Sequence, residues 1–323
     1  MACKGLHLTC CLKRLWQCNC ISHFSLLSYS KMENTSSLSG SLQESPFDQI
    51  IPVITQSVPV ERIYLTGRQR HKIVVENIFN VFINPSTEES SYDLVVIVSA
   101  EERRSENELQ DVIENRCKVI APVNVLIMAL PKFRQLLDVG HPFIFAVTHA
   151  AMLLFDSGTI TATLNKLPDE KEFIEQSRAD ITGWSHSATV FLDGAGYYVQ
   201  AGHPNMSAFM LHQATEHCLI GLIRTMTGYK VHTHNIDKLL RYARSYSLEL
   251  NGLFPRNTPE EIHLFQLLQK AYVDARYKPT YTITQAEVLI ITTRVQKIQT
   301  LVQEICHTQL NALENSINQA GIA

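Results

Sequence analysis

Apolar and polar positions alternate in two rhythms along the chain, and the change falls near residue 168. Before it, β-branched apolar runs read as strands: RIYLT (62–66), NVFIN (80–84), YDLVVIVSA (92–100) and VNVLIMAL (123–130). Between the last two lies SENELQDVIENRC. Ser105 and Glu108 have capping-box spacing, and Leu109, Val112, Ile113 and Cys117 make an apolar stripe. The order strand, helix, strand, with near-continuous apolar strands, predicts a small mixed α/β sheet covered on both faces. Pro131 starts a helix that ends near Gly140, FIFAVTHAAMLLF reads as a buried helix, and GTITATLN (158–165) as an edge strand.

After residue 170 the period is helical throughout. One helix spans 170–200 and the next 205–227, with Leu211, Thr215, Cys218, Leu222 and Met226 along a stripe and Gly228 as its stop. IDKLLRYARSYSLEL reads as one helix with Ile236, Leu239, Leu240, Ala243, Tyr246 and Leu250 on a face. Thr258, Pro259 and Glu261 form a helix start, followed by Ile262, Phe265, Leu268 and Tyr272. Thr284 and Glu287 cap the last helix, whose seam is Val288, Ile291, Val295, Ile298, Val302 and Ile305. The expected fold class is α+β with two domains: a small mixed α/β sheet domain, then an all-α up-and-down bundle. The boundaries are 1–50 (a disordered or artefactual extension, with Met32 as a candidate start), 51–168 (α/β), 169–310 (bundle) and 311–323 (tail).

Composition narrows the function classes. Hydrophobic content of 45% and charged content of 18% fit a globular protein, and no apolar run is long enough to span a membrane. The net charge of −3 provides no global basic field for nucleic acid, so RNA is a partner that charge does not support. Five cysteines (Cys3, Cys10, Cys11, Cys18, Cys20) crowd the first twenty residues without zinc-ribbon spacing. Cys117, Cys218 and Cys306 lie in helical patterns and read as reduced core thiols of a cytoplasmic protein.

The chemistry-bearing stretch is AFMLHQATEHC (208–218). His212 and Glu216 share one helix face, Gln213 and His217 the next. The run H-x-x-x-E-H is one residue longer than the H-x-x-E-H of zinc peptidases, so no metal site is expected. The stretch is then a core helix with a polar edge, or that edge is a ligand site. His232 and His234 flank Thr233 before the next helix, with Lys230 close by. Free N–H groups there would seat a phosphate, or Thr233 or Asn235 would simply cap the helix. Arg276 and Lys278 offer further phosphate contacts, or surface pairs with Asp274 or Glu287.

AFMLHQATEHCLIGLIRTMTGYKVHTHNIDKLLRYA, followed by LLQKAYVDARYKPTYTITQAEVLIITTRVQKIQTLV, resembles the HEPN family (higher eukaryotes and prokaryotes nucleotide-binding domain) over about 180–307. The H-Q-A-x-E helix, the G-Y-K-x-x-T-H-N turn and A-R-Y-K before the last helix carry the likeness. It implies a four- or five-helix bundle, often dimeric, that binds nucleotides or acts on RNA. The implied ligand is a ribonucleotide, alone or with Mg2+, or a nucleotide-bearing partner. His212, Gln213, Glu216, Lys230, His232, His234, Arg276 and Lys278 are the candidate contacts. Catalytic members carry an arginine and a histidine four to six residues on, near the last helix. After Arg276 no histidine comes before His307, and the formal match Arg256 and His263 sits on the preceding helix. The leading expectation is therefore nucleotide binding in a regulatory or defence-type system without catalysis. RNA cleavage is the alternative, and a dimerising scaffold the second.

HEPN domains often accompany a nucleotidyltransferase of the DNA polymerase beta type, and the α/β half bears a fainter likeness to one. RIYLTGR resembles its first strand and turn, with Gly67 but no serine. YDLVV resembles the metal-binding strand, with Asp93 present and Val95 in place of the second carboxylate. Asn124 occupies the third position. Two-metal transfer needs all three carboxylates, so this likeness implies a domain whose transferase chemistry is absent or crippled.

Overall fold

A computed structural model describes residues 45–74, 86–161 and 166–322. The early cysteines and the run 80–84 lie outside the described residues. The chain divides into two compact units, Met1–Leu167 and Pro168–Ala323.

In the first unit, helix α1 (Pro46–Ser57) is started by a capping box between Ser45 and Asp48. Four strands follow among the described residues: β1 (Val60–Val74), β2 (Ser86–Val98), β3 (Val123–Ala129) and β4 (Met152–Asp156). They form one mixed sheet in the order β3-β2-β1-β4. β1 pairs antiparallel with β2 and β4, while β2 and β3 run parallel. That parallel pair needs a crossover, supplied by α2 (Glu106–Cys117), whose capping box is the expected Ser105 and Glu108. Tyr92, Leu94, Val96 and Val98 pack with Val125, Ile127, Leu109 and Ile113 and with Ile50 and Ile54 of α1. On the other face Val95, Ile97 and Met128 are equally buried. Helices α3 (Leu130–Asp138) and α4 (Pro142–Ala150) pack on that sheet. Burial on both faces explains the continuous apolar strands.

FIFAVTHAAMLLF is not one helix: it ends at Ala150, and MLLF enters β4 beside β1. A short apolar run has no period to separate helix from buried strand, and pairing with β1 decides it. Residues 158–161 are not a strand, because Asp156 accepts the Gly158 N–H and Gly158 turns the chain at φ 81°.

The second unit is helical: α5 (Glu170–Gln200), α6 (Pro204–Thr227), α7 (Ile236–Ala243), α8 (Leu248–Gly252), α9 (Pro259–Tyr277) and α10 (Gln285–Ile322). α6 is central and packs against α5, α9 and α10. It is buried on nearly every side, so its polar residues must find partners inside the protein. The stretch expected as one helix breaks between α7 and α8, where Ser247 accepts the Glu249 N–H and starts a new turn. Ile262 proves exposed, and Leu264 and Leu267 join Phe265 and Leu268 in the core instead. The seam of α10 follows Val288, Ile291, Val295, Ile298 and Val302, then passes to Cys306 rather than Ile305. Residues 311–322 continue α10, and Arg178 of α5 pairs with Glu314 at 2.7 Å. Among the described residues no helix is long and apolar enough to cross a membrane.

Candidate functional site

The site grows from α6. Gly228 ends that helix in the left-handed conformation at φ 71°, which a side chain would oppose. The chain then crosses to Asn235, which caps α7 by accepting the Lys238 N–H. Gln269 takes the Asp237 N–H. Two amides that could have seated a phosphate are thus already occupied, and of the two readings of this turn the capping one is built. The turn instead brings His234 back against α6, opposite α9.

There, one carboxylate oxygen serves two imidazoles. Glu216 Oε2 accepts from His234 Nδ1 at 2.9 Å and lies 3.5 Å from His212 Nε2. His212 is fully buried, and its Nδ1 donates to the Leu268 carbonyl at 2.9 Å. Burial pushes the Glu216 carboxyl up, but the two adjacent imidazoles outweigh that and leave it below its ordinary value. His234 stacks on Tyr272, with ring centroids 4.2 Å apart and planes 13° apart, and its Nε2 is 3.3 Å from the Tyr272 hydroxyl. One turn on, Arg276 donates from Nε to the Tyr272 carbonyl. Its guanidinium carbon lies 4.6 Å from the Phe209 ring centroid, 4.8 Å from that of Tyr272 and 4.9 Å from that of Tyr277. No carboxylate among the described residues pairs with it. The result is a buried His–Glu pair leading through His234 to an exposed patch of aromatic rings and one unneutralised guanidinium. Such a patch stacks a planar group and receives an anion.

The structure therefore gathers His212, Glu216, His234 and Arg276 and leaves the other candidates elsewhere. Lys230 lies 5.3 Å over the Trp184 ring, beside His217 on the α5 face of α6. Burial lowers the His217 pKa; Glu216 pulls it up and Lys230 down, and the net shift is downward. Gln213 lies one helical turn before His217, and its buried Nε2 has no hydrogen-bond partner among the described residues. His232 is exposed, and Lys278 pairs with Asp274 at 2.9 Å. Arg256 binds Asp237 at 2.6 Å and covers Phe265, whereas His263 binds Glu287 at 2.9 Å. Each is committed to its own carboxylate. Sequence reasoning missed Tyr272 and Phe209 as site residues. The available signal was Tyr272 four residues before Arg276, one helical turn apart.

Residues 181–305 match the family model of the HEPN domain. The helical unit carries a HEPN domain, and every residue of the His–Glu–His–Tyr–Arg cluster falls inside the matched segment. The match does not extend into the first unit. Comparison of the chain with curated proteins finds no match. Among the described residues no group of three or more His, Cys, Asp and Glu side chains is arranged to hold a metal ion.

In the first unit, Gly67, Asp93 and Asn124 stand side by side on β1, β2 and β3. Gly67 lies within β1, not at the turn that its sequence context had suggested. A Cβ there would come within 2.7 Å of Asp93 Oδ2, so the glycine makes room for that carboxylate. Asp93 Oδ1 accepts from Asn124 Nδ2 at 3.1 Å. Val95 is buried in the apolar sheet face, where a carboxylate would be costly.

Proposed function

We propose that the HEPN domain is a nucleotide-binding module in a regulatory or defence-type system and that the chain performs no nucleotidyl transfer. The observation that carries this reading is Arg276: an exposed guanidinium framed by three aromatic rings and paired with no carboxylate among the described residues. A nucleotide supplies both the base that such rings stack and the phosphate that such a guanidinium binds. Val95 and Asn124, at the positions where the second and third carboxylates would stand, support the absence of transfer.

Thermal unfolding of the full chain against ribonucleotides, with and without Mg2+, tests it. A ligand at about a hundred times its dissociation constant stabilises by roughly 2.7 kcal/mol. Arg276→Ala is expected to abolish the shift, and Lys230→Ala to leave it. No shift with any nucleotide at millimolar concentration would refute the reading and leave a dimerising scaffold in its place.

One observation favours RNA cleavage as a second reading. His234, oriented by Glu216, and Arg276 both lie against Tyr272. An imidazole held by a carboxylate beside a guanidinium suits proton transfer at a phosphodiester. On this reading His234→Ala abolishes cleavage of RNA while His263→Ala does not, and a chain that leaves RNA intact excludes it.

A further inference from the structure

The hydrogen bonds of the cluster fix where its protons sit. A carbonyl only accepts, so His212 Nδ1 must carry the hydrogen in its 2.9 Å contact with Leu268. Nε2 then faces the Glu216 carboxylate at 3.5 Å in a buried setting. Nε2 makes no hydrogen bond among the described residues. The same Glu216 oxygen accepts from His234 Nδ1, which leaves Nε2 as the only place on His234 to gain or lose a proton. Nε2 meets the Tyr272 hydroxyl, which donates to a neutral ring and accepts from a charged one. The His234 side chain is 57% exposed, so a ligand can reach it.

The charged and titratable groups that face His234 are Glu216 and His212 from α6 and Tyr272 and Arg276 from α9; Lys230, His232 and Asp237 are its neighbours in sequence, with Lys230 over Trp184 and Asp237 paired with Arg256. Arg276 uses Nε within the protein, and its Nη groups bond to nothing among the described residues. The resting patch thus offers one fixed positive charge. A phosphodiester monoanion is matched by Arg276 alone. A phosphate monoester, a dianion above about pH 6, leaves one negative charge unmatched. A proton at His234 Nε2 matches it without breaking any bond to Glu216.

We propose that this site distinguishes phosphate monoesters from diesters by proton uptake: a nucleoside monophosphate binds as its dianion together with one proton, taken from solution onto His234 Nε2, and a diester binds without one. The proposal rests on the nucleotide-binding reading.

Titration calorimetry of the full chain tests it, with adenosine 5′-monophosphate and its methyl phosphodiester as probes in buffers of different ionisation heat. The expected result is about one proton taken up per monoester bound and none per diester. Monoester affinity falls by up to tenfold per unit rise in pH, and diester affinity does not change. His234→Asn keeps a donor for Glu216 and loses the titrating nitrogen, so its monoester binding becomes pH-independent. Should that variant fail to fold, the wild-type buffer comparison decides alone. Monoester binding without proton uptake overturns the proposal and leaves the nucleotide reading standing. Binding of neither probe at millimolar concentration overturns both.

Discussion

Removing the Glu216 carboxylate exposes the central dependency of the helical unit. In Glu216→Ala, His234 Nδ1 loses its 2.9 Å acceptor and the fully buried His212 Nε2 loses the carboxylate that faces it at 3.5 Å, a cost of about 1–3 kcal/mol. One methylene, Cγ, leaves the packed interior with the carboxylate, at about 0.8 kcal/mol. The sum is a destabilisation of about 2–4 kcal/mol, before partial relaxation toward the exposed His234 side. For a unit of this size that lowers Tm by roughly 4–16 °C, at about 2–4 °C per kcal/mol. Glu216→Gln separates charge from shape, because an amide presents either an acceptor or a donor where one oxygen now serves both imidazoles. The sign with pH follows from the depressed pKa of Glu216. Its contribution is fully present above the unfolded value of about 4.3 and is lost as pH falls through the lower folded value. The stability gap between wild type and Glu216→Gln should narrow as pH drops below that range. Urea titrations of both proteins between pH 7 and pH 3 measure it. A Glu216→Ala protein within about 0.5 kcal/mol of wild type, a difference ordinary for an uninvolved surface site, would refute the reasoning. So would a gap that stays constant down to pH 3.

Three further outcomes are expected. Gly67→Ala should destabilise the first unit by about 1–3 kcal/mol through overpacking against Asp93, and the combination with Asp93→Ala should cost less than the sum of the two single changes, as read by denaturant unfolding. Gly221→Ala should lower Tm, although alanine favours helix by about 1 kcal/mol, because a Cβ there meets Trp184 Cβ at 2.7 Å; a raised Tm would contradict the tight α5–α6 contact. Burial pushes the Cys117 thiol up to about 11 and those of Cys218 and Cys306 up to about 12, so mass spectrometry should find all three unmodified by iodoacetamide at pH 8 in the native protein and alkylated after unfolding.

What the sequence revealed of this molecule depended on the range over which each signal acts. The capping boxes at Ser105 and Thr258 close within three residues, and they form where the sequence puts them. The long helices announced themselves by period, and so did the change from sheet to bundle. Where two local signals compete, only tertiary contact decides. MLLF becomes a strand because β1 offers it an edge, and Ser247 interrupts a helix that its apolar spacing would have continued. The site shows the same limit more sharply. His212 and Glu216 are a local pair, legible as one helical turn. His234 and Arg276 join them only because the turn after Gly228 folds back onto α6 while α9 lies against it. Arg256 and His263 had the spacing of a catalytic pair yet face separate carboxylates. Arg276 has no histidine at that spacing in sequence, and the histidine that shares the Tyr272 ring with it, His234, lies forty-two positions earlier. A spacing motif detects residues that one element holds together. It cannot detect a pair assembled across two helices and a turn, which is how this patch is made.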